Sequence, residues 1–168
     1  YVRPTESLDE AASHVLREKE GITRVYLEQL YTFGAVHRDP RTRVITVAYY
    51  ALVDRERLAE ASGASGHSGH SGHPGHVLAG NRIVRISVPW EGETGGPVAV
   101  HAGDAGDAGD ELPLAFDHAE ILGMAVRRVR GKLDYTPIGF QLLPERFTLL
   151  SLQRVHETVL SRPLNKDS

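Results

Sequence analysis

The sequence contains no cysteine. That excludes disulfides, thiolate metal sites and cysteine nucleophiles together, and it fits a reducing compartment such as the cytoplasm. No apolar run approaches the roughly 20 residues that a membrane span needs, so no membrane partner is expected. The stretch from Tyr1 to Glu6 has no basic region followed by an apolar one, so it does not read as a secretory leader. The only Met is not at the start, and a helical pattern begins within a few residues, so Tyr1 reads as an internal position of a longer protein. Charge of one sign is also scarce: the net charge is -3, which alone does not argue for nucleic acid. Its distribution says more. From Asp117 onward eight Lys/Arg stand against six Asp/Glu, or +2, which leaves -5 for everything before. A mildly basic C-terminal part on an acidic body is compatible with a DNA-binding end. What the chain does have is 40% hydrophobic residues over 168 positions, enough for one core and part of another.

The local patterns predict a mixed α/β chain. Ser7-Leu8-Asp9-Glu10 is a capping box, and Leu8, Ala11, Ala12, Val15 and Leu16 follow at helical spacing. Gly21 is placed to end that helix in the left-handed conformation. Strands are predicted over 25–33 and 43–53, joined by a turn carrying His37-Arg38-Asp39-Pro40-Arg41. Between about 57 and 111 the pattern collapses into Ser-Gly-His steps bearing His67, His70, His73 and His76, then Gly-Asp-Ala repeats. Such tracts bury too little apolar surface to offset their ordering entropy, and histidines three apart in a Gly/Ser chain impose no coordination geometry. One island, residues 82–88, alternates like a strand. A helix is predicted from Asp117, read as its N-cap, to Arg130, with Gly131 as its stop. Thr148 caps a further helix with Leu149, Leu152, Val155 and Val159 on one face, and Asn165 to Ser168 reads as the start of another. Helices in this succession suit a helix-turn-helix arrangement.

The first helix has the spacing of a Nudix box, in which Gly, Glu, Arg-Glu and Glu-Glu recur at fixed intervals. Glu6, Leu16, Glu18, Gly21 and Ile22 match, whereas His14, Val15 and Lys19 stand where the pattern has Arg, Glu and Glu. Positions 15, 18 and 19 share one helix face, because residues three and four apart are neighbours. In a working box that face offers carboxylate oxygens to Mg²⁺, a hard cation. Val15 offers none and Lys19 offers an ammonium, so Glu18 is left as a residual ligand. No catalytic residues are expected from this degenerate box, and Mg²⁺ would be needed only if the chain hydrolysed its ligand.

Further blocks carry a wider resemblance. Leu8-Asp9-Glu10-Ala11-Ala12, Tyr26-Leu27-Glu28-Gln29-Leu30-Tyr31-Thr32-Phe33-Gly34 and Arg38-Asp39-Pro40-Arg41 resemble the Nudix-related transcriptional regulators of the NrtR type. So do Leu114-Ala115-Phe116-Asp117-His118-Ala119-Glu120-Ile121-Leu122, Leu143-Pro144-Glu145-Arg146-Phe147-Thr148-Leu149, Leu152-Gln153 and Leu164-Asn165-Lys166. The resemblance implies an incomplete Nudix-type α/β/α sandwich over residues 1–116, sensing ADP-ribose or a related NAD-derived nucleotide. It implies the first part of a winged helix over 117–168, truncated before or within the recognition helix. The implied function is nucleotide-responsive repression by a homodimer on operator DNA. A Mg²⁺-dependent Nudix hydrolase of the ADP-ribose pyrophosphatase kind is the alternative, and a Nudix-like protein-interaction module is a third class.

Candidate residues follow from these expectations. Arg38 and Arg41, on the turn between strands, have guanidinium forks suited to a diphosphate. Glu28 and Gln29, on the preceding strand, could bond a ribose or a base edge, and alternation lets only one of them face a pocket. Thr148, Gln153, Arg154 and Lys166 are the candidates for contacts with the DNA backbone.

Overall fold

The computed structural model describes residues 2–54, 57–58, 84–89, 98–102 and 110–164. The element order is helix α1 (Leu8–Glu20), strands β1 (Tyr26–Phe33), β2 (Thr46–Leu52), β3 (Val84–Ser87) and β4 (Ala99–Ala102), helix α2 (His118–Leu133), a 3-10 helix (Pro137–Leu142) and helix α3 (Leu149–Leu160). The mixed α/β class expected from the sequence is therefore present. The histidine tract at 67–76, the tail from Asn165 and Lys166 lie outside the described residues.

The caps of α1 form as the sequence dictates. Ser7 Oγ accepts from the Glu10 amide at 3.2 Å, and Glu10 Oε2 accepts from the Ser7 amide at 2.7 Å. Gly21 closes the helix at φ 66°, its N–H donating to the Arg17 carbonyl at 3.0 Å. The apolar face is narrower than its spacing predicts. Ala11 is buried, whereas Leu8 and Val15 stay exposed.

β1 and β2 pair in one two-stranded sheet and β3 and β4 in another. Both strands of the first pair are trimmed relative to their predicted spans, β2 most, and Arg43, outside the strand, donates its guanidinium to the carbonyls of Gly34 (2.7 Å) and Ala35 (3.0 Å). β3 and β4 run antiparallel with Ile86 opposite Val100 and Arg85 opposite His101. Val84 and Ile86 are half-buried while Arg85 and Ser87 are exposed, the period-two alternation of a one-sided sheet. Asp110 and Glu111, at the end of the tract predicted to be featureless, extend this edge together with Leu112: the Ala102 amide donates to the Asp110 carbonyl and the Leu112 amide to the Val100 carbonyl.

α2 departs from expectation at both ends. Gly131 does not stop it; the helix runs through to Leu133 and Asp134 takes the C-cap. A glycine inside a helix costs about 1 kcal/mol relative to alanine, which neighbouring turns tolerate. At the other end Asp117 holds the N-cap position, yet its side chain makes no capping bond. In the same helix Gly123 has a steric reason: a Cβ there would lie 2.9 Å from Val98 Cγ2. α3 begins as predicted, Thr148 Oγ1 accepting from the Ser151 amide at 3.0 Å. It packs on the 3-10 helix and buries Leu160, but Leu149, predicted on the apolar face, is 83% exposed at the first turn.

The chain divides into two compact units. One gathers Tyr1–Glu28, Ala51–Asn81 and Thr136–Ser168, and the other Gln29–Tyr50 and Arg82–Tyr135. Among the described residues the first buries Ala11, Ile22, Ile138 and Leu160, and the second Leu30, Phe33, Val88, Val100 and Val129. In the second unit Arg130 is buried as well, its Nη1 donating to the Val88 carbonyl at 2.8 Å, and desolvation pushes its pKa down. Among the described residues no helix is long and apolar enough to cross a membrane.

Candidate functional site

Three clusters contain the residues that sequence reasoning selected. The first lies on α1, in the first unit. His14 stands between two carboxylates, its Nε2 2.6 Å from Glu18 Oε1 and its Nδ1 3.6 Å from Glu6 Oε2. Arg3 Nη2 lies 2.8 Å from the same Nε2. One nitrogen cannot serve both neighbours in one protonation state: protonated it donates to Glu18, and neutral with the proton on Nδ1 it accepts from Arg3. The His14 hydrogen bond holds the Glu18 carboxyl below its usual range. Val15 and Lys19 are both exposed on this helix. Mg²⁺ needs several hard oxygens converging at one point. Here Val15 and Lys19 contribute none, and Glu18 Oε1 is taken by an imidazole. The residues present do not fit the metal, and among the described residues no group of three or more His, Cys, Asp or Glu is disposed to hold one.

The second cluster lies at the hairpin turn, in the second unit. Arg38 is not a solvated tip. Its Nε donates to Asp117 Oδ2 at 2.7 Å and its Nη2 to Asp117 Oδ1 at 3.0 Å, a two-pronged pair across 79 residues of sequence, while Nη1 donates to Thr46 Oγ1. The side chains are 8% and 15% exposed. The Asp117 carboxylate is thus turned to the guanidinium, and the residue's backbone at φ -96° and ψ 15° is not the extended one usual for an N-cap. The same guanidinium holds the Asp117 carboxyl below its ordinary range, and Asp117 raises Arg38 in return. Arg41 differs: its side chain is 74% exposed. Asp39 grips it through three contacts, from the Arg41 amide at 2.9 Å, Nε at 3.0 Å and Nη2 at 2.8 Å. The Asp39 carboxyl drops to about 2 as a result, chiefly through the Arg41 side-chain hydrogen bond. Arg41 Cζ also lies 5.2 Å from the centroid of the Phe116 ring. Gln29, in this unit, is exposed and accepts a long bond of 3.5 Å from the Tyr49 hydroxyl. Glu28, which belongs to the other unit, is half-buried and accepts from the Tyr26 hydroxyl. Sequence reasoning missed Thr46 and Phe116 and gave Asp117 a local role; the Ala115-Phe116-Asp117-His118 block was the available signal.

The third cluster is α3 in the first unit. Thr148 is committed to its capping bond, and Gln153 Nε2 donates to Glu157 Oε1 at 2.8 Å. The Leu164 amide reaches the same oxygen at 3.0 Å, and these two bonds, Gln153's the larger effect, lower the Glu157 carboxyl. Arg154 is exposed and so presents its charge to solvent.

Residues 139–168 match the family model of the NrtR DNA-binding winged helix domain. The chain is 30% identical over 161 residues, 96% of its length, to the ADPR responsive transcriptional repressor NtrR of Acinetobacter baylyi. It spans about half of that curated relative, 51% of its length. Among solved structures it is similar to NrtR of Shewanella oneidensis, with TM-score 0.65 and 27% identity over 99% of this chain and 64% of the other. The same protein complexed with a 27mer DNA gives TM-score 0.66 and 26% identity, covering 99% and 62%. A MutT/nudix family protein from Enterococcus faecalis, at 24% identity and TM-score 0.60 over 95% and 59%, shares the fold. The chain is thus similar to NrtR regulators along almost its whole length, and residues 139–168 match the model of the NrtR DNA-binding winged helix domain.

Proposed function

We propose that the protein is a transcriptional repressor that releases operator DNA in response to ADP-ribose or a related NAD-derived nucleotide, acting in the cytoplasm as a homodimer. The observation that carries this is the combination in one chain of a Nudix-box helix whose metal face has lost two carboxylates with a segment matching a DNA-binding winged helix. Such a box lacks two of the carboxylates with which a hydrolase holds Mg²⁺ on its substrate. The relative from Acinetobacter baylyi, described as ADPR responsive, supports the choice of effector.

Within this reading residues 1–116 hold the nucleotide and 117–168 open the DNA-binding part. Arg41, more exposed than Arg38, meets the diphosphate. Arg38 is a positioning residue that fixes the hairpin through Asp117 and Thr46. Gln29 is available to a ribose or base edge, and Arg154 to a DNA phosphate with Thr148, Gln153 and Lys166 beside it in sequence. Calorimetric titration of the full-length protein with ADP-ribose, without metal, tests the sensing half: saturable binding at one site per protomer supports it, and no heat with any NAD-derived nucleotide overturns it.

A further inference from the structure

Phe116 is an aromatic residue that the fold holds in an unfavourable place. It is 54% exposed, so its ring gains little from burial. Its backbone sits at φ 52°, the left-handed region that residues with a Cβ avoid. Strain of this kind persists only where the surroundings over-determine it. Here they do, on both sides. Asp117, the next residue, is held in a two-pronged grip by Arg38, and Arg41, held by Asp39, lies over the ring with Cζ 5.2 Å from its centroid. The His118 ring meets it edge-on with centroids 6.3 Å apart. Two ion pairs therefore flank a half-exposed aromatic ring that carries one cation over it.

We propose that the other face of Phe116 is the seat of a planar aromatic ring, the nucleobase of the nucleotide whose diphosphate meets Arg41. The inference rests on the nucleotide-sensing reading and assigns the base a place. Stacking on an aromatic side chain suits any base, because every base has a π face. Arg41 serves both parts of the ligand: it covers one side of the ring, so the base stacks on the other, and the N–H groups that Asp39 does not hold meet phosphate oxygens.

The test uses the full-length protein and two variants, Phe116→Gly and Phe116→Tyr, titrated calorimetrically with ADP-ribose and with inorganic pyrophosphate, which has no base. Glycine relieves the left-handed strain, so Phe116→Gly should keep or raise the melting temperature. It should also weaken ADP-ribose binding about tenfold, as loss of one base–aromatic stack does, and leave pyrophosphate affinity unchanged. Phe116→Tyr should bind ADP-ribose like the parent. If Phe116→Gly binds ADP-ribose as tightly as the parent, or loses both ligands equally, the base does not sit here, though the sensor reading survives. If the parent binds neither ligand, the sensor reading fails and this assignment falls with it. A lower melting temperature for Phe116→Gly would mean that the ring serves the fold, which also overturns the proposal.

Discussion

Arg38 and Asp117 are joined by two parallel charge-assisted hydrogen bonds, and that pair ties the turn between β1 and β2 to the N-cap residue of α2. The geometry matches the fork of a guanidinium to the two oxygens of a carboxylate, which Lys cannot reproduce. Arg38→Lys should therefore lower the melting temperature, and Arg38→Ala should lower it further by leaving a shielded carboxylate without its partner. Differential scanning calorimetry on both variants checks the order. Equal stability of parent and Arg38→Ala would reduce the pair to a surface contact.

The same pair sets an acid limit. Asp117 and Asp39 both titrate below the ordinary carboxylate value in the folded chain, Asp39 at about 2. A depressed folded value means that the stabilisation is complete above the unfolded value near 4 and is lost as pH falls toward about 2. Melting temperature should hence fall between about pH 4 and pH 2, and less steeply in Asp117→Asn, which starts lower but has one such proton fewer to take up. Parallel pH curves for the two proteins would contradict this assignment.

Gly123 gives a packing test. Alanine would gain about 1 kcal/mol in helix propensity. The new Cβ would meet Val98 Cγ2 at 2.9 Å, a contact on a short, stiff side chain, and overpacking of that kind costs about 1–3 kcal/mol. Gly123→Ala should be net destabilising, and Gly123→Ala with Val98→Ala should recover stability, as chemical denaturation would show. A Gly123→Ala protein more stable than the parent would mean that the helix shifts freely at this point.

How much of this was readable beforehand follows from the range of each interaction. The capping box at Ser7, the Gly21 cap and the Thr148 cap are contacts within four residues, and spacing alone reveals them. The degenerate metal face was readable for the same reason, since Val15, Glu18 and Lys19 lie within one turn and a half. Asp117 does hold the N-cap position read from the sequence, but its side chain bonds elsewhere, and nothing local discloses a partner 79 residues away. Glycine at 131 misled in the opposite sense: propensity favours a stop there, and tertiary context carried the helix on to Leu133.

Catalysis offers a separate check. With Val15 and Lys19 on the box face and Glu18 engaged by His14, the full-length protein should release almost no AMP from ADP-ribose with Mg²⁺. Turnover above about 1 s⁻¹, inside the ordinary enzyme range, would show that another donor set rebuilds the site.

The most direct measurement is an operator-binding titration of the full-length protein at fixed salt, with and without ADP-ribose, alongside Arg41→Ala and Arg154→Ala. Salt must be held constant because phosphate contacts make DNA affinity steeply salt-dependent. The parent should lose operator affinity as ADP-ribose is added, since a ligand shifts an equilibrium only by its differential affinity for the two states. Arg41→Ala should bind operator like the parent and need more ADP-ribose to release it, while Arg154→Ala should bind operator more weakly and show a salt dependence smaller by about one phosphate contact. If the parent holds its operator with the same affinity at every ADP-ribose concentration, nucleotide-responsive repression is not what this protein does.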